Sequence, residues 1–402
     1  MGKNAIGIIA EYNPFHNGHL YQLQQSRKIS GCNNTVIVLS SHFVQRGEPA
    51  FLDKWTRTEM ALKTGADLIL ELPCSYSCQN AGVFANAAID LLEKTGIVKY
   101  VSFGMETPYV PINTISDILI QEPATFKFLL RSFLDKGSSF VEARARAIDR
   151  MLPGAGVFLA APNNSLALSY VKRIREKGYD LDILPIRRIS NSYHDENLNG
   201  EISSATSIRL AARLGNMDEA CKAIPSCARE TFIRNVTTGR AVLSNNILWR
   251  LLKTVLLRSK AEDLAKFAEV SEGVENLFKK KVLYSCNIED FLNSCVSRRY
   301  PRSRIQRNLL HILLGLDQQE NIFFQRRGPA YIRILGANAN GREMIRQMRK
   351  TASLPVITRA SAPYSHYSRL MMDFEHRTGM IWELLVDSPI QNHERESIPL
   401  MV

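Results

Sequence analysis

GIIAEYNPFHNGHLYQL, Gly7 to Leu23, carries more structural information than any other run in the chain. The stretch Ile6–Ala10 is apolar without alternation, as in a strand buried on both faces. A turn containing Pro14 follows, and a helix is expected to open around Asn17–Gly18. His16 and His19 flank its first turn, where backbone N–H groups lack intrahelical partners and the helix dipole favours an anion. Two imidazoles there can donate to triphosphate oxygens as charge builds on an α-phosphate and a departing pyrophosphate. Gly18 removes a side chain where a purine or ribose can lie against the backbone. A His-x-x-His spacing alone is incidental in many helices. At a strand-to-helix junction, with glycine between the histidines, it points to a nucleotide site.

Outward from this junction, Thr35–Ser40, Asp67–Leu72, Tyr100–Gly104 and Leu181–Ile186 are further nearly all-apolar runs rich in β-branched residues. Leu20–Ile29, Trp55–Thr64, Ala81–Lys94 and Ser165–Lys177 have helical periodicity between them, and Ser138–Met151 adds a helix at one edge. The alternation predicts an α/β fold with a Rossmann-like parallel sheet, its ligands bound beyond the carboxyl ends of the strands. From about Ser204 the pattern changes. Asn245–Lys260, Ala261–Val270, Ile288–Ser297 and Arg304–Leu316 read as helices, with one short strand near Tyr331–Leu335. A division near residue 215 is expected, with the nucleotide-binding sheet in 1–215 and a mostly helical domain in 216–402.

A second candidate phosphate clamp is ISSATSIR, Ile202 to Arg209. Ser203 and Ser204 can cap a helix and present N–H groups and hydroxyls, and Arg209 follows one to two turns on. SSHFVQRGEPAFLDKW (Ser40–Trp55) brings Arg46, Gly47 and the candidate catalytic Lys54 into a loop after the second strand. FGMET (Phe103–Thr107) ends the fourth strand with Gly104, where a base can approach. PNNSL and PIRRIS supply Asn163, Asn164, Arg187 and Arg188. No nucleophile–base pair of the Gly-x-Ser-x-Gly kind is present, so in-line attack on a phosphate, driven by positioning and electrostatics, is the expected chemistry. Mg²⁺ is expected to accompany ATP, and Glu11 and Glu106, which follow strand ends, are each able to hold the ion or a sugar hydroxyl, with no choice between them from the sequence.

The 402 residues suggest two or three domains, and 45% hydrophobic with 22% charged residues is a soluble globular composition. No run approaches the length of a membrane span, and the N-terminus lacks the pattern of a signal peptide, so a cytoplasmic protein is expected. The seven cysteines (Cys32, Cys74, Cys78, Cys221, Cys227, Cys286, Cys295) contain no Cys-x-x-Cys pair, which argues against zinc. The net charge of +12 is uneven: residues 1–200 carry +2 and residues 201–402 carry +10. A nearly neutral front half and a basic back half suggest a catalytic part joined to a polyanion-binding part, although solvated helix faces give the same count.

Together GIIAEYNPFHNGH, FVQRGEPAFLDKW, GADLILELP, FGMET, PNN, RRISNSYHD, EISSATSIR and YIRILGANANGR resemble the bacterial tRNA(Met) cytidine acetate ligases, of the HIGH-motif nucleotidyltransferase superfamily. The resemblance covers both halves of the chain. It implies activation of acetate by ATP to acetyl-adenylate, then transfer of the acetyl group to N4 of the wobble cytidine in the elongator tRNA(Met) anticodon loop. By position it implies ATP contacts from Ile9, Ala10, Glu11, Tyr12, Asn13, Pro14, Phe15, His16, Asn17, Gly18, His19, Leu20, Tyr21 and Gln22, joined by Gly104, Asn163 or Asn164, and Arg188. One departure is Ser165-Leu166-Ala167-Leu168-Ser169, where an Ile-Leu-Gly-like continuation with an acidic residue is the family pattern.

Reading an anticodon loop favours aromatic stacking with arginines along the phosphates. Arg298, Arg299, Arg302, Arg304 and Arg307, then Arg326, Arg327, Arg342, Arg346 and Arg349, are the candidates, with Tyr300 and Phe324 as stacking or core aromatics. Two other classes compete. A small-molecule adenylyltransferase shares the front motifs but needs no basic helical half. A non-catalytic RNA-binding protein predicts decayed phosphate motifs, whereas His16, Gly18, His19 and Arg209 are all present.

Overall fold

The computed structural model describes residues 3–107, 111–188, 203–360, 364–388, 394 and 397–402. Ile202 and most of the RRISNSYHD stretch lie outside the described residues. Ten strands form among those described: β1 Ala5–Ala10, β2 Asn34–Ser40, β3 Phe43–Val44, β4 Glu48–Pro49, β5 Leu68–Leu72, β6 Val98–Met105, β7 Asp182–Arg187, β8 Ile332–Ala337, β9 Val356–Ile357 and β10 Leu400–Met401. The main sheet runs β10-β8-β5-β2-β1-β6-β7, with β9 beside β8, and β3–β4 form a separate hairpin.

The five front-half strands pair in parallel, as their apolar character predicts. Alternate residues serve opposite faces. Ile37 and Leu39 of β2 pack with Leu23, Met60 and Ala61 of the helices Asn17–Ser30 and Lys54–Lys63. Val36 and Val38 pack with Phe84, Ala88 and Leu92 of the helix Ala81–Lys94. The chain moves from β1 outward through β2 and β5, then crosses back to β6 and β7. Strand order therefore reverses between β1 and β6, the switch point at which such sheets open a ligand crevice.

The back half departs from expectation. The strand expected near Tyr331–Leu335 exists as β8, but it joins the front sheet, antiparallel to β5, and β10 extends that edge. The division at 215 therefore does not separate the sheet from the helices. All six residues of β8 are buried, so its backbone groups need ladder partners, and the free edge of β5 supplies them. Further ties cross the expected boundary: Val242 N–H donates to Phe51 C=O at 2.9 Å, and Trp382 Nε1 donates to Ala50 C=O at 2.8 Å. The helices Asn246–Arg258, Ile288–Cys295 and Arg302–Leu314 fall where expected, while the helix begun at Ala261 ends at Leu264.

Candidate active site

The switch point opens into a cleft of about 410 Å³. Its walls are the end of β1, the start of the helix Asn17–Ser30, Gln45, Arg46 and Glu48 of the β3–β4 hairpin, the end of β6, and the N-terminal turns of the helices Pro162–Lys177 and Ala205–Arg213. Val44, Ala81, Phe84, Phe103, Leu166 and Tyr170 give it an apolar portion.

His16 is the N-cap of the helix Asn17–Ser30. Its Nδ1 accepts the Gly18 N–H at 3.1 Å, and Nδ1 of His19 accepts the His16 N–H at 3.2 Å. The two histidines thus form a reciprocal capping box, and their rings stack with centroids 3.7 Å apart. A ring nitrogen that accepts carries no proton, so each neutral imidazole keeps its hydrogen on Nε2. Burial, reinforced by Arg188 and Arg209, holds His16 down to about 3. Burial, then His16 and Arg188, holds His19 well below the usual histidine range. Both rings are neutral N–H donors at neutral pH.

The first N–H groups of this helix were expected to be open to an anion. Instead the Asn17 N–H donates to Ala223 C=O at 2.8 Å and the Gly18 N–H to His16. Those N–H groups are engaged within the protein, and the ring Nε2–H groups are left as donors at this turn. Beneath them Tyr12 and Phe15 are buried, with ring centroids 4.6 Å apart, and Tyr12 lies 4.8 Å from His19.

Arg209 closes one side of the cleft, donating to Asn13 C=O at 2.7 Å. Ser204 caps the helix Ala205–Arg213 by accepting the Ser207 N–H at 3.1 Å, and Ser203 and Ser204 both line the cleft. Glu11, half-buried at the end of β1, accepts the Gln45 N–H at 2.9 Å. Burial raises its pKa, against the pull of that N–H and of Arg46, Arg209 and Arg57. At the end of β6, Asn163 donates to Glu106 at 2.5 Å. A Cβ on Gly104 would lie 3.0 Å from Cγ of Arg188, so the space above this glycine belongs to the arginine side chain.

Ile9, Ala10, Glu11, Tyr12, Asn13, His16, Gly18, His19, Tyr21, Gln22, Gly104, Asn163, Arg188, Ser203, Ser204 and Arg209 thus meet in one cleft. Pro14, Phe15, Asn17 and Leu20 are not among its lining residues. Two further expectations are corrected. Asn164 is buried and holds the backbone past β6: it accepts the Glu106 N–H at 3.0 Å and donates to Thr107 at 2.9 Å. Lys54 is wholly buried among Glu71, Glu375 and Glu394, because Asp53 caps the helix and turns its first residue into the core. Gln45, Glu48, Leu166 and Tyr170 line the cleft without any sequence signal of their own.

The arginine band divides. Arg307 is buried against Glu269 at 3.2 Å, so it is not open to a polyanion. Arg302 pairs with Glu289, Arg304 with Glu272 at 3.0 Å, Arg299 with Glu272 at 3.5 Å and Arg346 with Glu343 at 2.6 Å. Arg298, Arg326 and Arg327 are exposed, the last over the Phe323 ring at 5.0 Å. Phe324 is core, whereas Tyr300 lies 5.6 Å from both Arg299 and Arg304. Gln306 donates to Glu48 at 3.0 Å, which sets the helix Arg302–Leu314 against the hairpin that walls the cleft. All seven cysteines are free. Among the described residues no helix is long and apolar enough to cross a membrane.

The family described as HIGH Nucleotidyl Transferase matches residues 3–397. A tRNA(Met) cytidine acetate ligase of Acetivibrio thermocellus is 37% identical over 365 residues, covering 89% of this chain and 88% of that protein. One of Leuconostoc mesenteroides is 34% identical over 403 residues, covering 98% of each. The crystal structure of Thermotoga maritima TmcAL in its apo form superposes with a TM-score of 0.94 at 30% identity over 100% of both chains. The form bound with alpha-thio ATP gives 0.92 at 29% identity, also over 100% of both.

Proposed function

Because the chain belongs to the tRNA(Met) cytidine acetate ligase family, we propose that it activates acetate with ATP and transfers the acetyl group to N4 of the wobble cytidine in elongator tRNA(Met). It is an ATP-dependent ligase. The observation that carries the mechanism is the reciprocal histidine cap at the switch point, which fixes two Nε2–H donors in the cleft.

In the first step a carboxylate oxygen of acetate attacks the α-phosphorus, the bond to the bridging oxygen breaks, and pyrophosphate leaves. Nε2–H of His16 and His19 stabilise the charge that gathers on the α-phosphate and the leaving group, with Arg209 and Arg188 adding positive charge. Ser203 and Ser204 hold the far phosphates at the helix Ala205–Arg213. In the second step the cytosine amine attacks the acetyl carbonyl and AMP departs. Acetate is a poor acyl donor, and the mixed anhydride supplies the leaving group it lacks.

Mg²⁺ fits best as a passenger on the triphosphate. The carboxylates lining the cleft, Glu11, Glu48 and Glu106, already accept N–H donors from Gln45, Gln306 and Asn163. Among the described residues the one close group of three carboxylates, Glu71, Glu375 and Glu394, is filled by Lys54 and Arg333. Arriving with ATP, the ion would neutralise charge on the departing pyrophosphate.

Residues 1–215 supply the ATP and acetate site in this reading, and 216–402 supply the tRNA surface. The anticodon loop would reach the cleft over Arg298, Arg299, Arg302 and Arg304, carried on or beside a helix packed on the hairpin wall. A tRNA substrate places the reaction in the cytoplasm. Charge reversal of Arg302 and Arg304 to glutamate is expected to weaken tRNA binding and to lower the slope of log K against log salt by roughly 1 for each arginine–phosphate pairing removed. Filter binding at several salt concentrations reads this, and an unchanged slope puts the tRNA elsewhere.

Acetate-dependent exchange of labelled pyrophosphate into ATP tests the first step without tRNA. Exchange supports acetyl-adenylate formation in the absence of the acceptor. Its absence, followed by its appearance with added tRNA, marks a first step gated by the acceptor. Absence in both conditions rejects acetate as the acid.

A further inference from the structure

The acetyl-transfer step needs a group that the roles above do not supply. As N4 of cytosine forms its bond to the acetyl carbon, the nitrogen becomes cationic and must lose a proton. The histidines cannot take it. Each Nδ1 is occupied by a backbone N–H and each Nε2 already carries hydrogen, so accepting a proton would break the cap. The remaining candidates that line the cleft are Glu11, Glu48 and Glu106.

Their surroundings differ. Glu48 lies on the hairpin, accepts from Gln306 at 3.0 Å and comes within 3.9 Å of Arg209. Glu106 is tied at one oxygen to Asn163, the side chain that also receives Arg188 at 3.5 Å. Glu11 projects from the last turn of backbone before the phosphate-binding junction, five residues ahead of His16. Among the described residues its hydrogen-bond donor is the Gln45 N–H. A carboxylate placed beside phosphate-binding arginines gains nothing from an anionic nucleotide or from acetate. Adenine and cytosine both carry an amino group, and of the two the cytosine amine is the one that loses a proton in the reaction. The aromatic wall of Phe103 and Tyr170, with ring centroids 5.8 Å apart, gives an unstacked base an apolar surface in the same cleft.

We propose that Glu11 is the catalytic base that accepts the N4 proton of the wobble cytidine during acetyl transfer. The step balances: the N4 lone pair forms the C–N bond, the bond from the acetyl carbon to the phosphate oxygen breaks, its electron pair leaves with AMP, and the proton passes to the Glu11 carboxylate and then to water. This rests on the acetyl-transfer reading above. The charged and titratable groups that face Glu11 are Arg46 on the hairpin, Arg57 on the helix Lys54–Lys63, Arg209, Tyr170 and Cys78. Burial raises the carboxyl's pKa against the pull of the arginines, which makes Glu11 a stronger base than a free glutamate.

The test compares wild type with Glu11→Gln and Glu11→Asp in the full chain. Acetate-dependent pyrophosphate exchange and single-turnover formation of N4-acetylcytidine on unmodified elongator tRNA(Met) are measured in the same preparations. Gln preserves shape and an oxygen for the Gln45 N–H, and the melting temperature checks the fold. The expected result is a transfer rate lower by about 10²-fold or more in Glu11→Gln, with a much smaller fall in exchange and a partial return in Glu11→Asp. The wild-type rise of transfer rate with pH should also vanish in Glu11→Gln. An equal fall in both activities, an unaffected transfer rate, or a selective loss in Glu106→Gln instead overturns the proposal. Wild type without transfer removes the functional reading and this proposal together, whereas wild-type transfer beside a fully active Glu11→Gln removes the proposal alone.

Discussion

Alanine at His16 or at His19 is expected to slow acetyl-adenylate formation by about 10²–10³-fold, the loss typical of one preorganised donor at a developing oxyanion. Both rings donate from Nε2 because their Nδ1 atoms are committed to the helix cap, so each substitution removes a donor already aimed before ATP arrives. The same change removes a cap, which costs about 1 kcal/mol, and a loss of activity alone would not tell the two roles apart. His16→Asn separates them. Asparagine caps helices well but offers no donor at the Nε2 position, so pyrophosphate exchange should fall nearly as far as in the alanine variant while the melting temperature stays near wild type. Recovery of exchange in His16→Asn would make the cap the only role of the residue.

The same geometry sets an acid limb. His16 titrates near 3 and His19 well below its usual value, both chiefly through burial. In the unfolded chain both protonate near 6.5. Between those values the unfolded state binds more protons than the folded one, so stability rises with pH across that window and falls as acid is added. Urea midpoints measured through the window should shift downward on acidification, and less steeply in the His16→Asn variant.

What could be read in the sequence follows what each residue does locally. The five front strands and the histidine junction were legible because apolar runs and a Pro-Gly-punctuated turn act at short range. The resemblance added the expected ring of contacts, and the cleft gathers most of them. Most of the failures are long-range. Lys54 stands in a loop-like run beside Arg46 and Gly47, and nothing local reveals that Asp53 caps a helix and sends Lys54 toward three glutamates distant in sequence. Of the two asparagines in PNN, the helical turn alone decides that Asn163 faces the cleft and Asn164 the backbone past β6. Arg333 and Arg307 added to the basic count of the back half, yet both are buried and paired. Net charge reports composition, and burial of paired charges breaks its link to surface potential.

Lys54→Met is expected to cost about 3–5 kcal/mol, the penalty for breaking a buried ion network by removing one partner. Lys54 touches Glu71, Glu394 at 2.7 Å and Glu375 at 3.3 Å, and Arg333 meets Glu394 and Glu71 from the other side. These residues come from the helix Lys54–Lys63, β5, β8, the helix His366–Glu383 and Glu394, so the network fastens the returning back half to the front sheet. Three carboxylates face two cations, and one proton settles the excess. Burial, then repulsion from Glu71, raises Glu375 to about 8, so it holds that proton at neutral pH. Glu375→Gln mimics the protonated acid and should cost far less than Lys54→Met at neutral pH. Between its ordinary value of 4.5 and about 8 the folded state keeps a proton that the unfolded chain has released, so wild-type stability from this group declines as pH rises. The glutamine variant has no such proton to lose, and its melting temperature should gain on wild type through that window. A wild type and a variant that track one another across it would place the proton on another member of the network.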